Sequence, residues 1–276
     1  MREVLVKSWE EFEQKIEALK AEWSRIRQRT PLRVSDLLFR GHSDAEWLLY
    51  TTLERYLGKS SFSMFNYYRT IHAAKHRVEA FTDKQWHIPS VKKYSEWLKD
   101  YDPFETGRFL AYDFMAYLRH HGYPSPLLDW TTSPFVAAFF AFRDLLSKSK
   151  FVAVFAYLEY IGKGKSSKSS ESCIRTLGPY VHSHKRHFLQ QNQYTLCVAL
   201  DEPGPCYESH QVAFNRNHED EDQDLLRKFI IPATERVKAL RKLDSYNINA
   251  YSLLGSEESL METIALRELV LRKRNP

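Results

Sequence analysis

The chain has 276 residues, 43% hydrophobic and 27% charged, with a formal net charge of +5 and a pI near 8.9. This length and balance supply a real hydrophobic core and exclude a disordered chain. The positive charge favours polyanionic partners such as nucleotides or nucleic acid, but it is too small to diagnose nucleic-acid binding.

In chain order, residues 4–6 read as a short strand. Ser8-Trp9-Glu10-Glu11 matches a capping box, and Phe12, Ile16, Leu19 and Trp23 recur at helical spacing, which predicts a helix to about Arg27. A second strand spans 37–41, followed by a mixed apolar and polar stretch over 47–56 and helical spacing over 62–101. Residues 109–119 predict a further helix, ended by His120-His121-Gly122-Tyr123-Pro124. Ser133-Pro134 is a hydroxyl cap followed by proline at the first helical position, so a helix starts there and continues through Leu145.

Residues 151–160 are rich in β-formers and read as a strand, 162–172 as a Lys/Ser/Gly surface loop, and 194–200 as another strand. The acidic run 218–224 reads as a solvated loop. A short strand at 229–231 precedes a helix capped by Thr234 and reaching about Leu243, and Ser256 begins a last helix ending in Arg272-Lys273-Arg274. Strands and helices mix without strict alternation, which predicts an α+β fold: a mixed central sheet flanked by helices.

Cys173, Cys197 and Cys206 form no CxxC pair, which points to a reducing cytoplasm. The N-terminus lacks the apolar stretch of a signal peptide, and the longest apolar segment, 134–142, is too short to span a bilayer. The expectation is a cytoplasmic protein with no membrane partner.

Two segments carry the functional reading. Phe39-Arg40-Gly41-His42 places an arginine where an apolar strand stops at glycine. It is either an exposed or ion-paired strand-end residue, or a planar fork of donors that holds phosphate with the backbone close by. Leu127-Leu128-Asp129-Trp130-Thr131-Thr132-Ser133-Pro134 sets a carboxylate, an indole and three hydroxyls ahead of a helix N-terminus, which itself favours an anion. His121 is a candidate hydrogen-bonding residue of the same pocket. The His182, His184 and His187 spacing fits no common zinc pattern, and Asp220, Asp222 and Asp224 lack the glycine and terminal glutamate of a calcium loop, so no metal is predicted. There is no Walker loop, GxGxxG or GxSxG.

With these residues in view, the chain resembles the FRG domain family. The resemblance runs through Phe39-Arg40-Gly41, His121-Gly122-Tyr123-Pro124-Ser125, Leu127-Leu128-Asp129-Trp130, Arg186, Gln190-Gln191, Tyr194-Thr195 and the segment after Ile231-Pro232. It departs at Pro126, where members usually carry arginine, and at Asn192, where they carry glycine. It implies one FRG domain over 1–276, with a helical insertion at about 57–108 and a C-terminal helix at about 256–274.

A weaker resemblance, to ADP-ribosyltransferases of the arginine-serine-glutamate type, implies an ADP-ribosyltransferase-like fold and a mechanism. NAD would be the co-substrate, Arg40 would hold its pyrophosphate, and Thr131, Thr132 and Ser133 would shape the nicotinamide side. Gln190 and Gln191, ahead of Tyr194, would occupy the place of the late glutamate, with Asp129 or Glu54 supplying the negative charge. The implied function is ADP-ribose transfer to a macromolecule, nucleic acid among the candidates, or NAD hydrolysis, in the setting of a toxin or phage defence. The alternatives are a nucleotide or nucleic-acid sensor without chemistry, and a nuclease using His121 and Asp129.

Overall fold

The first helix shows how the architecture is built. In the computed structural model, which describes residues 1–29, 34–103, 109–159, 172–178, 181, 185–201, 203–216 and 224–272, strand β1 (Arg2–Leu5) leads into α1 (Trp9–Arg29). The Ser8 hydroxyl accepts from the Glu11 N–H (3.3 Å), while the Glu11 carboxylate reaches one residue further than expected, to the Lys7 N–H (2.9 Å). Trp9, Phe12, Ile16 and Leu19 form its buried stripe.

Next come β2 (Leu38–His42), α2 (Thr52–Leu57), β3 (Phe62–Ser63), α3 (Met64–Thr82), α4 (Val91–Lys99) and α5 (Tyr112–His120). The chain continues through β4 (Leu128–Thr131), α6 (Pro134–Phe142), β5 (Phe151–Leu158), β6 (Cys173–Thr176), α7 (Lys185–Leu189), β7 (Asn192–Asp201), β8 (Gly204–Tyr207) and α8 (His210–Arg216). It closes with β9 (Leu225–Pro232), α9 (Arg236–Ser245), α10 (Ala250–Leu254) and α11 (Glu257–Ala265), the last extended by a π-helical turn, Leu266–Leu271.

The α+β expectation holds: the nine strands form one mixed sheet in the order β1-β9-β5-β2-β4-β7-β8-β3, with β6 also paired to β7. Among the described residues, only β1 and β9 run parallel. The sheet curls strongly. Glu159, just past β5, accepts the N–H of Thr176 on β6 (2.7 Å), although three strands separate β5 from β6 in the pairing order.

One face packs on α1, α6, α9 and α10 through Phe12, Phe39, Phe139, Phe142, Val154 and Phe229. The other buries Leu38, Trp130, Phe155, Tyr157 and Phe214, and a separate core joins α3, α4 and α5 to β7 and β8. Among the described residues, no helix is long and apolar enough to cross a membrane.

Several local expectations need correction. The strand predicted at 229–231 is eight residues long. Its polar half is stabilised from outside, by Arg227 on Glu22 and Lys228 on Glu3, so the apolar pattern understated it. Thr234 caps nothing: it lies in a 3-10 turn, Ala233–Glu235, whose Glu235 carboxylate instead accepts the N–H of Trp9 (2.9 Å). The helix after Pro134 ends at Phe142 rather than Leu145. Asp224 is buried, not solvated, and accepts the Tyr157 hydroxyl (2.7 Å). The loop at 162–171, the acidic residues 218–223, His182, His184, Lys273 and Arg274 lie outside the described residues.

Candidate functional site

Strand alternation on β2 sets the geometry. Phe39 and Gly41 face α6, while Leu38, Arg40 and His42 face the opposite side. A Cβ on Gly41 would sit 1.9 Å from the Ala137 carbonyl oxygen and 2.7 Å from the Ala141 nitrogen, so this position must be glycine for α6 to lie on the sheet. The same short strand thus carries both the helix contact and the arginine.

Arg40 is fixed from two sides. Its Nε donates to His42 Nε2 (3.1 Å), and an Nη donates to the backbone carbonyl of Asp129 on β4 (2.7 Å). Because His42 Nε2 accepts, the ring proton sits on Nδ1, which donates to the Trp47 carbonyl (3.3 Å). Burial, and next the Arg40 charge, push the His42 imidazole down to about 3, so it stays a neutral brace. Burial also lowers Arg40 to about 10, against the pull of Asp129, and it remains a cation at neutral pH.

The Asp129 carboxylate lies 4.0 Å from Arg40 and pairs directly with Arg119 at the end of α5. A cation is favourable there beside the helix C-terminus. The Asp129 Oδ1 and the Arg119 Nε are both buried without a hydrogen-bond partner. Arg55, presented by α2 behind a Thr51–Glu54 capping box, has its pKa lowered by burial and then by the charge of Arg119. Arg186 on α7 completes the set, its Nε donating to the Leu254 carbonyl (3.1 Å). Four guanidinium groups and one carboxylate therefore face a cleft of about 390 Å³, walled by Trp47, Trp130, Phe140 and Leu254. Such an arrangement is suited in charge and shape to a polyanion with an apolar or aromatic part.

The structure brings Phe39, Arg40, Gly41, His42, Asp129, Trp130, Thr131 and Gln190 to this one cleft. Other predicted residues stand apart from it. His121 is exposed at the end of α5, and its neighbour His120 lines the cleft instead. Tyr194 is buried behind, sharing a hydrogen bond with His120 Nε2 (2.7 Å).

The three hydroxyls of 131–133 are used structurally. Thr131 donates to the Gln190 carbonyl (2.7 Å), Thr132 donates to the Gln191 side chain (3.0 Å), and Ser133 caps α6 through the Val136 N–H (3.3 Å). The two threonines pin the turn from α7 into β7, where Gln191 holds a left-handed φ of 50° that costs on the order of 1 kcal/mol. Gln190 is committed too, donating to the Leu253 carbonyl and accepting from Asn192 (3.1 Å each).

Arg55 and Arg119 were missed, because an arginine near a helix end has the same local signature whether it is solvated or turned into a cleft. The short apolar run before Arg119 and its closeness in sequence to Asp129 were the available signals.

Residues 35–150 match the family model of the FRG domain. The chain carries an FRG domain. Neither the curated proteins nor the solved structures give a match. The matched FRG residues supply Arg40, Arg55, Arg119 and Asp129, whereas Arg186, Gln190, Asn192 and Leu254 reach the cleft from beyond them.

Proposed function

We propose that this cleft binds NAD and breaks its bond between ribose and nicotinamide, passing ADP-ribose to a macromolecule or to water. One observation carries the reading. The three segments that resemble arginine-serine-glutamate transferases lie on the adjacent strands β2 and β4 and just before their neighbour β7. Each reaches one arginine-lined cleft, through Arg40, Thr131 and Gln190, while Thr132, Ser133 and Gln191 do not line it. Because Arg186, Gln190 and Leu254 complete that cleft, we take the working unit to extend well past the matched residues.

In this reading Arg40, Arg119 and Arg55 hold the pyrophosphate, with bidentate guanidinium contacts giving both charge and direction. The phosphate oxygens compete with Asp129 for Arg119. Asp129 then supplies the negative charge that supports the cation forming at the ribose C1. The C1–N bond breaks with its electron pair leaving on nicotinamide, which departs neutral. A bond from C1 to the acceptor oxygen or nitrogen replaces it, and the acceptor's proton passes to water.

A second reading, binding without chemistry, is favoured by the amide of Gln190: both of its ends are spent on Leu253 and Asn192, and it cannot replace a glutamate's charge. Nicotinamide release from NAD separates the two. The enzyme reading expects release that Arg40→Ala lowers at least about a hundredfold, as for loss of a buried charged contact of about 3 kcal/mol. Tight NAD binding with no release supports the sensor, and release untouched by Arg40→Ala removes the assigned site.

A further inference from the structure

We infer that the outer face of α3 and the loop after it form a docking track for single-stranded nucleic acid, leading to the mouth of the cleft. Residues 59–93 hold seven lysines and arginines against Glu79 and Asp83, a net of +5, equal to that of the entire chain; Arg69, Lys75, Arg77 and Lys84, with both acids, lie on α3 and the loop after it. The charge is not spread evenly: elsewhere, acids and bases cancel.

It is also displayed outward. Met64, Tyr67, Tyr68 and Ile71 bury one side of α3, which leaves Arg69, His76, Arg77 and Phe81 exposed on the other, with Lys84 exposed just past its end. Glu79 is buried beneath Lys75 (2.8 Å), lies 3.7 Å from His76 and accepts the N–H of Trp86 (2.7 Å), so its charge is taken up by Lys75 and His76, while Asp83 is exposed beside Lys84.

The track continues toward the cleft. Lys84 lies over the ring of Tyr117 (5.3 Å), and Tyr117 packs on exposed His121 (4.3 Å). His120, the residue before His121, lines the cleft itself together with Arg186.

The choice of partner follows from the rings. Phe81 is 89% exposed within the basic stripe, where an acidic peptide would have no use for it, whereas an unstacked base gains a π-face beside its phosphate. A duplex hides those faces, so the fitting ligand is single-stranded. This surface lies outside the arginine-lined cleft, and the inference stands whether or not NAD is turned over.

The test is fluorescence anisotropy with a labelled mixed-sequence oligodeoxynucleotide of about 20 nucleotides, titrated without NAD over a range of salt. The intact chain should bind at about 50 mM salt. The triple change Arg69→Glu, Arg77→Glu, Lys84→Glu should weaken binding at least about tenfold and flatten the salt slope by about 2, as expected for three lost phosphate contacts. Phe81→Ala should weaken it about tenfold while leaving that slope unchanged. Thermal melts matching the parent keep the comparison to folded protein. The inference is overturned by no binding at low salt, by full binding of the triple variant, or by polyglutamate competing as well as unlabelled oligonucleotide.

Discussion

Arg40 reaches the cleft already oriented. His42 takes its Nε–H and the Asp129 carbonyl takes one Nη, so little side-chain freedom is left to lose when an anion arrives. The bracing depends on a neutral imidazole, and that gives a pH signature. His42 and buried His210 are both pushed down to about 3, chiefly by burial, while an unfolded histidine titrates near 6.5. Between those values the unfolded chain binds more protons, so stability rises with pH across the window and is lost as pH falls through it. Each histidine contributes a slope of up to about 1.4 kcal/mol per pH unit. Urea midpoints should therefore be clearly lower at pH 4.5 than at pH 7, and equal midpoints would contradict neutral buried imidazoles. Asp129→Asn makes the opposing demand at the same site. It removes the one carboxylate facing four arginines, so affinity for ADP-ribose measured by calorimetry should rise severalfold while nicotinamide release falls. If binding and release both fell, Asp129 would be acting as a structural clamp on Arg119 and not as the charge that aids bond breakage.

At the scale of elements, the pairing of β2 with α6 carries the site. Gly41→Ala would drive a methyl group into the backbone of α6, which no rotamer change relieves. A loss of about 3 kcal/mol in chemical denaturation is expected, and a loss below about 1 kcal/mol would show that the helix does not rest there. This is also the scale at which the sequence was most readable. Ser133-Pro134 announced α6 because capping and proline at the first turn act locally, and a strand through Arg40-Gly41 is equally local, although it runs on to His42 and so places Arg40 at its middle rather than its end. Asp129-Trp130-Thr131 was correctly read as lying at a strand-to-helix junction, yet the purpose of the hydroxyls was not visible. Their partners, Gln190 and Gln191, are 59 residues away. Arg119 was hidden for the same reason, since only its pairing with Asp129 distinguishes it from a solvated helix end. The strand at β9 was understated because Arg227 and Lys228 break its apolar pattern and are neutralised by Glu22 and Glu3 from the other end of the chain.

Across the whole molecule, the cleft is assembled from residues between Phe39 and Leu254, so it exists only when distant parts have docked. Helix α7 is held onto the end of α10 by three side chains, Lys185, Arg186 and Gln190, which donate to the carbonyls of Gly255, Leu254 and Leu253. That seam brings Arg186 to the cleft that Arg55 and Arg119 also line. The most direct test is a crystal structure with ADP-ribose bound. The pyrophosphate oxygens should lie within hydrogen-bond distance of both Arg40 and Arg119. Electron density placing the ligand outside this cleft, or with its phosphates turned away from both arginines, would contradict the proposed site.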